Sequence, residues 1–216
     1  MKTLAFNGSP RKKHNTATLL EKALEGAAAA GSQTELIHLF DQDFTGCISC
    51  FSCKRIGGKS YGACGVDDAL TPLLEKAAAA DVLILGSPIY LAAETARFRA
   101  FLERLIFPCL TYAEAPKTLF PRKIRTAMIY TMGVPADRIP LVGYNWHFER
   151  TCDLLTRIFG HCEMLCSTET KQFDHPENYF CPAKNIPDLE KRHAEVFPQD
   201  CEKAAQLGKR LALAHN

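Results

Sequence analysis

The sequence predicts an α/β fold: a three-layer, doubly wound domain with a five-stranded parallel sheet and helices on both faces. Three observations carry this. Strand-like and helical patterns alternate along the 216-residue chain as five β-α repeats. Two runs, DVLILGSP (Asp81–Pro88) and IRTAMIYTMG (Ile124–Gly133), are almost continuously apolar, as in strands buried on both faces. The intervening segments place apolar residues on one helical face. Neither a repeat nor a linker divides the chain, so residues 1–216 read as a single domain.

In order, KTLAF (Lys2–Phe6) is a short apolar strand stopped by the turn cluster NGSP. TATLLEKALEGAAAAG follows as a helix, with Leu19, Leu20, Ala23, Leu24 and Ala27 on one face and Gly31 at the stop. TELIHLF (Thr34–Phe40) alternates like a strand. A cysteine-rich loop at residues 46–66 comes next. DDALTPLLEKAAAA is a helix that Asp67 or Asp68 can cap. After the strand at Asp81–Pro88, ETARFRAFLERLIF is a helix with Phe98, Phe101, Leu102 and Leu105 on one face. After the strand at Ile124–Gly133, YNWHFERTCDLLTRIFG is a helix closed by Gly160, and CEMLCSTE is the last strand. The tail from Asp188 to Ala214 is helical and interrupted at Pro198. Residues 111–123 and 171–187 are irregular, proline-bearing insertions of the kind that shape sites or subunit contacts.

Composition excludes several classes. Apolar residues make up 47% and charged residues 23%, with a net charge of +2, so no global field recruits nucleic acid or an anionic membrane. No apolar run is long enough for a transmembrane helix, and MKTLAFNGSP turns polar too soon for a secretory signal. A cytoplasmic location and reduced thiols are therefore expected for the ten cysteines. No GxSxG or HExxH spacing is present, so no triad hydrolase or zinc peptidase is indicated.

In an open parallel sheet, ligands bind beyond the carboxyl ends of the strands. After the first strand, NGSPRKKHNTAT combines a flexible Gly8, side-chain donors from Ser9, Asn15 and Thr16, the charge of Arg11, and a helix start. That is a phosphate cradle, although neither the Walker pattern nor GxGxxG is present; a plain polar turn with a helix cap is the alternative. After the third strand, GSPIYLAAET offers a stiff Pro88 and the flat face of Tyr90. After the fourth, YTMGVP turns at Gly133. A flat ring with polar edges would suit the space between these two loops.

Taken together, GSPRKKHNT, GSPIYLAAETARFRAFLER and YTMG resemble the flavodoxin-like, NAD(P)H-dependent FMN reductase group, and within it the iron–sulfur flavoproteins. The resemblance runs over about Lys2 to Gly133. It implies FMN at the carboxyl edge, with its phosphate on Ser9, Arg11, Asn15, Thr16 and the Ala17 N–H. Its isoalloxazine would pack on Pro88, Ile89, Tyr90 and Leu91, with Thr131, Met132 and Gly133 near the pyrimidine edge. The flavin would carry the chemistry, so no catalytic side chain is required. The resemblance also implies a homodimer or homotetramer. NAD(P)H would be a co-substrate, and electron donor and acceptor would be small molecules or proteins.

Cys47, Cys50 and Cys53 recur every third residue, and Cys64 follows ten residues later. CxxCxxC with a fourth cysteine is a cubane ligand pattern, and the surrounding glycines free the loop to wrap a [4Fe-4S] cluster. Iron–sulfur flavoproteins carry a compact cysteine motif at this point, with a shorter final gap. Zinc, a disulfide, or four free thiols remain open as alternatives. The function expected is an FMN-dependent oxidoreductase linked to NAD(P)H or to a ferredoxin-type protein. A flavodoxin-type electron carrier and a thiol-based redox sensor are the alternatives.

Overall fold

A computed structural model describes residues 1–182 and 185–214. The elements in chain order are β1 (Lys2–Asn7), α1 (Asn15–Ala29), β2 (Gln33–His38), α2 (Thr71–Ala79), β3 (Val82–Tyr90), β4 (Ala93–Glu94), α3 (Ala96–Ile106), β5 (Arg125–Thr131), α4 (Tyr144–Phe159), β6 (Cys162–Ser167), α5 (Ile186–Glu195) and α6 (Phe197–Leu213). Five strands are parallel, in the order β2-β1-β3-β5-β6. This is the flavodoxin-like doubly wound order, and its direction of winding reverses beside β1 and β3.

Period-two alternation assigns each strand residue to a layer. Leu4, Phe6, Leu83, Leu85, Met128 and Tyr130 face α2, α3 and α4. Ala5, Val82, Ile84, Ala127 and Ile129 face α1 and α6. The second layer is unusually tight. A Cβ at Gly26 would sit 1.8 Å from the Ala205 carbonyl oxygen, and one at Gly208 1.8 Å from that of Ala23, so the two helices cross almost backbone to backbone.

Four expectations are corrected. The sheet has six strands rather than five, because β3 turns back at Leu91–Ala92 and the two-residue β4 pairs antiparallel with it (Ile89 with Glu94, Tyr90 with Ala93). β2 ends at His38, and Leu39–Asp41 form a turn of 3-10 helix. α2 starts at Thr71 with no side-chain cap. Asp68 accepts instead from the Leu70 amide (2.9 Å) and from the Arg104 guanidinium, so its carboxylate is committed elsewhere. The expected tail helix is two helices, parted near Val196 with Pro198 in the first turn of the second. Gly160 closes α4 as expected. In the 171–187 insertion, Ala183 and Lys184 lie outside the described residues, as do His215 and Asn216 of the proposed 1–216 domain. Among the described residues, no helix is long and apolar enough to cross a membrane.

Candidate functional site

Ten of the twelve expected cofactor residues line one cleft at the carboxyl edge, around about 560 Å³ of open space. Ser9, Arg11, Asn15 and Thr16 form one end. Pro88, Ile89 and Tyr90 form one side, and Thr131, Met132 and Gly133 the other. Ala17 and Leu91 are not on its surface. Ala17 is fully buried in α1, so only its backbone could serve a ligand. Leu91 is wholly exposed at the tip of the β3–β4 turn.

The first loop is shaped by short polar contacts. Asn7 Oδ1 accepts from the Ser9 amide (2.9 Å), and Ser9 Oγ accepts from the Arg11 amide (3.1 Å). The Gly8 amide donates to Gly86 O (2.7 Å), and Thr95 Oγ1 donates to Gly8 O (2.7 Å). A Cβ at Gly8 would meet Phe98 side-chain atoms at 2.5–2.8 Å, so the loop and α3 require glycine here. The Thr16 and Thr131 hydroxyls are 2.7 Å apart and join the first turn of α1 to the end of β5. α1 has no capping side chain and no acidic residue in its first turn. Its free amides and positive dipole end therefore face the cleft, a favourable place for an anion.

Sequence reasoning missed part of this wall. His14, Thr170, Lys171, Gln172 and Phe173 also line the cleft. Arg11 donates to Gln172 O, Asn15 donates to Lys171 O (2.8 Å), and the Thr170 amide donates to Met132 O (3.0 Å). The only signal was the insertion beginning at Lys171, more than 150 residues from the loop it meets. His14 is held below the usual histidine range by burial and then by the Arg11 charge. With Arg11 and Lys171 beside it, this end of the cleft suits an anion, and the aromatic face of half-exposed Tyr90 suits a flat ring. A ring-bearing phosphate such as FMN therefore fits the residues present.

The thiol loop is built differently. It leaves the carboxyl edge and descends along α3 instead of staying beside the first loop. Arg97 donates to Phe44 O (2.9 Å), and Glu103 Oε2 accepts from the Cys47 amide (3.0 Å). Arg104, on α3, is buried. Its Nε donates to Cys64 Sγ (3.3 Å), and its Nη atoms donate to Thr45 O, Val66 O and Asp68 Oδ2. Lys54 donates to the carbonyls of Phe107, Pro108 and Leu110. Ser49 and Phe51 are left-handed (φ 54° and 56°), which sharpens the turns between the cysteines.

Cys47, Cys50, Cys53 and Cys64 line one small cavity with Arg104, Phe107 and Pro108. Cys47 and Cys50 are exposed, Cys53 is buried and Cys64 half-buried, and all ten cysteines are unbridged. Hydrogen bonds from Ser52 pull the Cys50 thiol down, whereas burial pushes Cys53 up. Four thiols around one cavity are the donor set of an iron–sulfur cluster. As they stand, however, no three His, Cys, Asp or Glu side chains among the described residues are arranged to hold a metal ion. Cys162 and Cys166 face the same side of β6 and pack with Cys152 against the core under α4.

Residues 1–136 match the family described as NADPH-dependent FMN reductase. An iron–sulfur flavoprotein of Methanocaldococcus jannaschii is 36% identical over 104 residues, covering 48% of this chain and 51% of that protein. The chain thus spans about half the length of the first curated relatives it matches. An iron–sulfur flavoprotein of Archaeoglobus fulgidus aligns over 99% of this chain and 80% of its own length at 29% identity. Among solved structures, an NAD(P)H:quinone oxidoreductase from Methanothermobacter marburgensis superposes with TM-score 0.69 at 15% identity, covering 100% of this chain and 99% of the other. An azoreductase from Bacillus anthracis gives 0.64 at 15%, covering 97% and 100%. At that identity the structural likeness speaks for the fold. The family match covers more than half of the chain and includes the three strand-end loops of the cleft, though not the Thr170–Phe173 segment: the chain belongs to the NADPH-dependent FMN reductase family.

Proposed function

We propose that the protein is an FMN-dependent oxidoreductase that moves electrons from a reduced donor, NAD(P)H or a ferredoxin-type protein, to an acceptor. The observation that carries this is the single cleft that joins an uncapped helix start to a Tyr90 wall. When bound, FMN supplies hydride and single-electron chemistry. The chain's own part is to bind and orient. Ser9, Asn15, Thr16 and Arg11 take the phosphate, helped by the α1 amides, with the Ala17 N–H among them. Pro88, Ile89 and Tyr90 support the ring, while Thr131, Met132 and Gly133 border its polar edge. Leu91 stands outside this contact set in a single chain, where its exposed side chain is available to a second copy in a homodimer or homotetramer. The domain is read as residues 1–216, working in the cytoplasm.

The thiol loop is read as the holder of a [4Fe-4S] cluster on Cys47, Cys50, Cys53 and Cys64. Four cysteines on one cavity and the names of the relatives support that reading. Cys47, Cys50, Cys53 and Cys64 would supply the ligands, and Arg104, which donates to Cys64 Sγ, would offset negative charge there.

The test is a titration of flavin-free protein with FMN, followed by fluorescence, beside an anaerobic preparation assayed for iron, acid-labile sulfide and FMN per chain. FMN binding that Thr16→Ala and Arg11→Ala weaken supports the cleft, and absence of binding ends the flavin reading. Iron and sulfide that disappear when all four cysteines are changed to serine support the cluster. Metal content unmoved by those changes ends it. The exposed Cys50, with its thiol pulled toward the thiolate, favours a redox-sensor role as the second reading. That reading predicts a change in oligomeric state on thiol modification.

A further inference from the structure

The β3–β4 hairpin forms one side of the cleft, and nothing in the parallel sheet requires it. Its turn residues, Leu91 and Ala92, are both left-handed (φ 49° and 71°), a conformation that costs non-glycine residues free energy. Only two residue pairs join its strands. Both turn residues are exposed, so packing at the tip does not hold it. The hold comes from the other end, at Glu94, whose side chain is fully buried. The Tyr130 hydroxyl on β5 donates to Glu94 Oε1 (3.0 Å), and His147 Nε2 on α4 lies 2.8 Å from Oε2. Thr151 Oγ1, also on α4, lies 3.4 Å from Oε1, and Arg99 Nη1 on α3 lies 3.6 Å from Oε2. Burial, then the neighbouring Glu94, pushes the Tyr130 phenol up, so it stays protonated and donates. A buried carboxylate is costly unless paired on several sides. Here three separate elements supply the pairing for a two-residue strand.

The next residue extends the link. Thr95 caps α3, its amide donates to Ser87 Oγ (3.2 Å), and its hydroxyl donates to Gly8 O in the phosphate-side loop. We propose that Glu94 is a positioning residue: its buried carboxylate holds the β3–β4 hairpin, and with it Tyr90, as the fixed wall against which the ring of a bound flavin packs. The inference rests on the flavin reading above for the identity of the ligand, and on geometry alone for the hold on the hairpin.

Glu94→Gln tests it, with Tyr130→Phe as a milder variant that removes one donor and keeps the carboxylate. Amide hydrogen exchange is measured on the flavin-free proteins. Exchange at residues 89–94 rises about tenfold or more in Glu94→Gln and less in Tyr130→Phe, while β1 and residues 82–86 of β3 stay protected. FMN and riboflavin are then titrated. Both weaken by the same factor, about tenfold in Glu94→Gln, because the ring end and not the phosphate end has lost its wall. Unchanged exchange at the hairpin overturns the proposal. So does weaker FMN binding with riboflavin untouched, which places the effect at the phosphate end. Should Glu94→Gln not fold, Tyr130→Phe decides by the same two readouts. If the unaltered protein binds neither flavin, the flavin reading falls, and the exchange result alone decides whether Glu94 holds the hairpin.

Discussion

The cleft at the sheet edge and the thiol loop along α3 are held by opposite means. The cleft is assembled from the ends of regular elements. The start of α1, the ends of β3 and β5 and the cap of α3 meet through short contacts such as Thr16 with Thr131 and Thr95 with Gly8. Its shape is inherited from the sheet. The thiol loop contains no long regular element between residues 42 and 70, and it depends on three long cationic side chains, Arg97, Arg104 and Lys54, that bind carbonyls across the loop and its neighbours. A region built on the sheet should keep its geometry when one contact is lost, whereas a region hung on a few cationic side chains should not.

The largest expected effect separates the two. Arg104→Met removes a fully buried group with four acceptors, deprives the Asp68 carboxylate of its ion partner and leaves Thr45 O without its donor. A loss of about 3 kcal/mol in urea-unfolding free energy is expected. Cys53 and Cys64 should also react faster with a thiol reagent. FMN affinity should change by no more than about twofold, since the cleft does not use Arg104. A collapse of FMN affinity would erase the distinction between the regions.

Gly8→Ala is the converse. The added Cβ collides with Phe98, at a cost of about 2 kcal/mol by overpacking. FMN affinity should fall about tenfold in a titration while thiol reactivity holds.

The third expectation concerns acid. Burial raises the Asp68 carboxyl, but the bonds from Arg104 and the Leu70 amide, together with the Arg104 charge, more than offset this and hold it below the usual carboxylate range. A depressed carboxyl contributes stability that is present above its unfolded pKa of about 3.9 and is lost as pH falls through the folded value. Asp68→Asn should therefore cost on the order of 1 kcal/mol at neutral pH. The urea midpoint of that variant should then decline less than that of the unaltered protein between about pH 5 and pH 3.

The smallest effect is at His14. A bound phosphate opposes the burial and the Arg11 charge that lower its pKa. Binding then takes up a proton, and affinity rises as pH falls. Compared with His14→Gln, the unaltered protein should gain no more than about threefold in FMN affinity between about pH 7 and pH 6. Parallel pH profiles for the two proteins would remove His14 from the site.

Much of the cleft was legible because its residues sit at fixed places relative to strand ends. Glycine, serine and threonine right after β1 mark a helix start, and Pro88–Tyr90 and Thr131–Gly133 follow from where two apolar runs stop. That Leu91 lies off the cleft surface was not legible, because a two-residue hairpin leaves no periodicity to read and its tip turns outward. Arg104 looks like any charged residue on an amphipathic helix, and its burial follows only from where the thiol loop lies. The cap expected on α2 failed for the same reason, since Arg104 holds Asp68.

What the sequence determined by itself was local: the alternation of elements, their buried faces, the loops that end strands and the spacing of four thiols. Periodicity and strand-end chemistry are short-range properties, so they survive without knowledge of the fold. The tertiary structure alone decided that Lys171–Phe173 closes over the first loop, that the thiol loop descends along α3, and that Glu94 gathers Tyr130 and His147 from 36 and 53 residues away. Those contacts form because a buried charge must be paired and an open loop must satisfy its carbonyls. Which partner meets that need is set by the order in which the strands cross.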